Sequence, residues 1–135
     1  MIRLALTACA VAVAAAVAPM KWTANLTPMS GSKIAGTATV TPDGAAKMTV
    51  TISITGGDPS TSYPWHVHVG KCGPGGVVGP GAAYTPIKTD TYGAGKVTVS
   101  VPVAAPESGD FHVNVHKSAA DMGTIVSCGD LTMAM

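Results

Sequence analysis

Glycine and proline punctuate this chain from Pro28 onward, and the segments between them are dominated by threonine and valine. Sixteen glycines and ten prolines in 135 residues leave almost no run in which a helix could propagate. Each interior glycine costs a helix about 1 kcal/mol and each proline about 3. Valine and threonine, branched at Cβ, instead favour the pleated, half-buried surface of a sheet. The pattern therefore predicts an all-β fold, an antiparallel β-sandwich or barrel of short strands separated by turns. Strands are expected at Lys21–Thr27, Lys33–Thr41, Ala46–Ile54, Trp65–Val69, Lys96–Val103, Phe111–Val115 and Ile125–Cys128. Pro42-Asp43-Gly44 reads as a hairpin turn, since proline presets φ and glycine accepts positive φ.

The first residues do not share this pattern. Arg3 is followed by apolar or small residues from Leu4 to Ala18. That run is short for a bilayer span, which needs about 20 residues. A basic start, an alanine-rich core and a small-x-small end form a secretory signal. Residues 1–18 are expected to be that signal, cleaved after Ala16-Val17-Ala18, with Ala12-Val13-Ala14 as the alternative site, and residues 19–135 a single domain with no membrane span. Export to a periplasmic or extracellular compartment follows.

Removal of the signal leaves two of the three cysteines, Cys72 and Cys128, an even number in an oxidising compartment. A Cys72–Cys128 disulfide is expected. It also leaves seven lysines against seven acidic residues. A neutral chain without a basic run is a poor partner for nucleic acid or anionic membranes.

All four histidines fall in two valine-rich clusters, His66-Val67-His68 and His112-Val113-Asn114-Val115-His116. Strand alternation puts His66 and His68 on one face, and His112, Asn114 and His116 on one face. If the two strands are neighbours, imidazoles converge on a patch outside the core. Imidazole suits zinc, copper, iron and nickel. His112 should stand about 13 Å from His116 along a regular strand. The expected ligands of one ion are thus His66, His68 and His116, with His112 left for an additional metal position or an interface, such as one within a homodimer.

The order of these residues, with Cys72-Gly73 after the first pair and Cys128-Gly129 after the second, resembles the copper-zinc superoxide dismutases. The likeness is most specific at His116 through Asp121-Met122-Gly123, at His66-Val67-His68 and at the two cysteines. It implies an antiparallel Greek-key β-sandwich, copper held by His66, His68 and His116, a Cys72–Cys128 bridge and superoxide as the partner molecule. Three departures qualify what it implies. Residues 73–95 hold no histidine, so a zinc site of the family type is not expected. The segment from His116 to Cys128 is short, without the charged loop that guides superoxide in the family. Ile125 occupies the place of the family's active-site arginine, and the only arginine of the chain is Arg3.

Trp65 to Gly70 and Phe111 to His116 also resemble chordin-type (CHRD) domains, which carry the Val-Asn-Val-His string without established enzymatic chemistry. Two functions are therefore expected to compete. One is a copper-only dismutase-like enzyme, its catalysis in question without the arginine. The other is a non-catalytic envelope module that binds or buffers copper or haem.

Overall fold

The computed structural model describes residues 7–12 and 20–134. The expected cleavage site at Ala16-Val17-Ala18 lies outside the described residues; Cys9 is exposed and takes no part in a disulfide. The described residues form nine strands, in chain order: β1 Lys21–Pro28, β2 Ala35–Pro42, β3 Met48–Thr55, β4 Ser62–Tyr63, β5 Trp65–Val69, β6 Ile87–Lys88, β7 Gly95–Val101, β8 Phe111–His116 and β9 Ile125–Ala134. The sole helical element among the described residues is a short 3-10 turn at Gly81–Ala83.

Seven strands form one antiparallel sheet in the order β5-β8-β9-β1-β2-β3-β7, and β4 pairs with β6 apart from it. Neighbours β1, β2 and β3 are joined by short connections. The chain then crosses from β3 to β5 at the far edge, returns to β7, and crosses again to β8. These crossovers give the Greek-key character expected of the fold class. The sheet curls at β9. That strand pairs with β1 at Lys21–Thr23 and again at Thr27–Pro28, and with β8 from Phe111 to His116.

Alternation along the strands builds the core. In β3, Met48, Val50, Ile52 and Ile54 point inward and are at most 1% exposed, while Thr49, Thr51 and Ser53 face outward. Trp65, Val67, Val113 and Val115 meet them from β5 and β8, each fully buried. Each such side chain contributes about 1.5–3 kcal/mol relative to exposure. The Trp65 indole N–H is not left unpaired; it donates to the Thr85 carbonyl at 2.7 Å.

The expected hairpin at Pro42-Asp43-Gly44 is present, with Gly44 at φ +70° and the Asp43 amide donating to the Lys47 carbonyl. β4 and β6 were not expected, because two-residue strands carry no periodicity. β9 runs on past its expected end at Cys128 to Ala134. Gly129 follows directly on that expected end. In the fold it is required by close approach, since a Cβ there would lie 2.3 Å from the Asn25 carbonyl oxygen of β1.

Candidate metal centre

β5 and β8 are hydrogen-bonded neighbours, so both histidine clusters do lie on adjacent strands. Their register opposes His66 to Asn114 and His68 to His112, while His116 ends β8 beyond Trp65. His66, His68 and His116 come together: each offers a ring nitrogen, and these atoms all lie within 4.8 Å of one another. The closest pair is His66 Nδ1 and His116 Nε2, 3.1 Å apart. Two nitrogens bound side by side at about 2.0–2.1 Å from one ion sit about 3 Å apart, so the spacing fits a shared ion.

The cluster is not outside the core, as the sequence pattern suggested. His68, His112 and His116 are 7%, 0% and 5% exposed, and only His66 is half-buried. Two features of tertiary structure bury them. Both faces of β8 are covered, so its alternation is of valine against histidine and asparagine rather than of inside against outside. The glycine-rich segment after Val69 also folds back along β5: Val69 N–H donates to Gly76 O, Val78 N–H donates to Val67 O, and Val77 bridges His68. His112, fully buried, offers no surface for the subunit contact considered above.

Backbone carbonyls settle the ring protons. A carbonyl only accepts, so Nδ1 carries the hydrogen in His68, donating to Gly75 O at 2.9 Å, and in His116, donating to Met122 O at 2.7 Å. Nε2 is then the nitrogen that each leaves free to accept a metal ion, in a carbonyl–imidazole arrangement of the kind that orients metal-binding histidines. His68 Nε2 is buried and has no hydrogen-bond partner. Burial pushes the pKa of His66 down to about 4, with the neighbouring His116 and His68 adding to the shift. Burial lowers those of His68 and His116 as well, against the raising effect of their carbonyl partners. All three rings are therefore neutral at pH 7, the form in which imidazole can bind a metal.

Tyr84, which the sequence did not single out, packs edge-on against both Trp65 and His66, at ring separations of 5.2 and 5.4 Å. Its hydroxyl donates to Val78 O at 2.7 Å, and burial pushes its pKa up to about 12. It fastens the segment after β5 over the histidines. The carbonyls of Gly75 and Met122 were equally invisible, since a backbone acceptor leaves no mark in the sequence.

The expected disulfide is present between Cys72 and Cys128, with Cα atoms 6.1 Å apart. It ties the segment after β5 to β9, and the Cys72 N–H donates to Asp130 Oδ1 at 2.7 Å. A cavity of about 540 Å³ beside Lys33, Tyr63, Lys117 and Thr124 includes none of the histidines. Ile125 begins β9, where the dismutase resemblance placed an arginine.

Searches by sequence found no matching family model and no matching curated protein. Among solved structures the fold is similar to a glutamate-to-glutamine variant of superoxide dismutase 5 from Candida albicans. The match has a TM-score of 0.58 and 16% identity, and covers 88% of this chain and 94% of that one. At that identity the likeness is one of fold: the chain adopts a dismutase-like antiparallel β-sandwich, with three histidines gathered on the strands β5 and β8.

Proposed function

We propose that this chain is an exported copper protein of dismutase-like fold, with residues 1–18 a signal segment, residues 19–135 one domain, and His66, His68 and His116 the copper ligands. The observation that carries this reading is the donor set: three neutral imidazoles whose nitrogens lie within 4.8 Å, one of them buried without a partner. A buried, unpaired polar atom costs about 1–3 kcal/mol, and a bound cation removes that cost. Copper heads the affinity order for divalent ions at nitrogen sites, whereas a structural zinc site wants four ligands.

A copper ion held there supplies one-electron chemistry suited to superoxide, which zinc does not. The protein's part is positional. His68 and His116 are fixed by their carbonyl partners, and His66 is the most exposed of the three rings. No cationic side chain orients an anion from position 125. That absence favours a second reading, a copper carrier or buffer without turnover.

Copper uptake and superoxide decay, measured on the protein and on a His66/His68/His116→Ala triple variant, test both. We expect one copper per chain, lost in the triple variant. Decay above the free-copper background that disappears in the variant supports the enzyme, and uptake without decay supports the carrier. Equal copper uptake by the two proteins would rule out both readings.

A further inference from the structure

We propose that His112 is a positioning residue of the metal centre: it backs the ring of His68 and clamps the Gly70–Gly75 loop on which the orientation of His68 depends. The part concerning the metal rests on the copper reading above; the clamp does not.

His112 lies directly across from His68 in the β5–β8 register, and the two rings stack at 11° and 5.2 Å. Each holds one end of the same loop. His112 Nδ1–H donates to Gly70 O at 2.7 Å, and His68 Nδ1–H donates to Gly75 O at 2.9 Å. Between these ends Cys72 is bonded to Cys128, and its N–H is bound by Asp130, the β9 register partner of His112. The fit is close, because a Cβ on Gly75 would come within 3.4 Å of His112 Cε1. His112 thus touches both the ligand ring and the loop that aims it.

Packing alone is a poor account of this residue. The Nε2 of His112 is buried without a partner, and an apolar ring of the same shape would avoid that penalty. Nor does its position make it a ligand, since the cluster of converging nitrogens contains His66, His68 and His116 but not His112. What His112 has that an apolar ring lacks is the Nδ1–H on Gly70 O. Partners that orient a metal ligand are worth about 10–100-fold in metal affinity.

Two variants separate its contributions. His112→Phe keeps a planar ring and loses the donor, whereas His112→Gln keeps a donor and loses the ring. In metal-free protein, amide exchange at Val69, Gly70 and Cys72 should rise at least tenfold in His112→Phe and by less in His112→Gln. In Cu(II)-loaded protein, His112→Phe should weaken copper binding about tenfold and shift the electron paramagnetic resonance hyperfine splitting, with three nitrogen couplings retained. Unchanged exchange and an unchanged spectrum in variants that fold would overturn the proposal. So would a four-nitrogen wild-type signal that drops to three, which would make His112 a ligand. Should His112→Phe fail to fold, His112→Gln carries the same measurements. If the wild type takes up no copper, the copper reading fails while the exchange data still decide the clamp.

Discussion

Replacing Cys72 and Cys128 by serine isolates what the disulfide contributes. The bridge spans 56 residues of sequence, and in the chain-entropy model a loop of that size restricts the unfolded chain by about 4 kcal/mol at 25 °C. The folded side of the equilibrium should change little. The loop around Cys72 is held independently by the Asp130 carboxylate on its N–H and by His68 and His112 on its flanking carbonyls. Against a total stability of about 5–15 kcal/mol for a domain, the loss is large. The assay is guanidinium unfolding of the oxidised protein and the double serine variant, both carrying Cys9→Ser to prevent thiol exchange. The extrapolated free energy should fall by about 4 kcal/mol. The m-value should rise, because the chain without the bridge exposes more surface when unfolded. The near-ultraviolet circular dichroism of the folded state should be preserved. A loss below about 1 kcal/mol with an unchanged m-value would refute the reasoning, since the range for such bridges extends down to nothing when the constraint is already present in the unfolded chain.

Lowering the pH should weaken the metal-free fold before most carboxylates titrate. The His66 pKa is depressed from 6.5 to about 4, and those of His68 and His116 are lowered too. Between about pH 4 and 6.5 the unfolded chain binds protons that the folded one does not, so stability is full above that window and declines as pH falls through it. A denaturation midpoint that stays constant from pH 7.5 to 5 would contradict this. Two glycine substitutions should differ sharply in cost. A Cβ at Gly36 would lie 1.9 Å from the Ser53 carbonyl oxygen, so Gly36→Ala must part β2 from β3 and should cost about 3 kcal/mol. Gly44→Ala meets open space and suffers only from its φ of +70°, about 1 kcal/mol; equal thermal shifts for the two would remove the steric argument.

Much of this protein is local and therefore legible in the chain. Glycine, proline and threonine placement dictates β-structure because backbone preferences act residue by residue, and the turn at Asp43-Gly44 and the strands from Trp65 and Phe111 follow from them. The spacing His66-x-His68 carries its own geometry, since a strand repeats every second residue. The pairing of Cys72 with Cys128 needed only that they are the two cysteines beyond the expected signal segment. What the chain alone could not convey is the environment of those residues. Alternation tells which side chains share a face, not whether that face meets water. In β8 both faces are covered, so a polar stripe that reads as solvent-exposed is interior. Packing of the segment after Val69 across β5 decided this, and with it the neutral imidazoles, the carbonyl partners at Gly75 and Met122, and the ring of Tyr84 against His66. Likewise the continuation of β9 through Gly129 depends on β1, whose Asn25 carbonyl leaves no space for a Cβ there. Some of these contacts join residues distant in sequence and others close a local turn, but the strength of all depends on burial, which arises only when the whole sheet has folded.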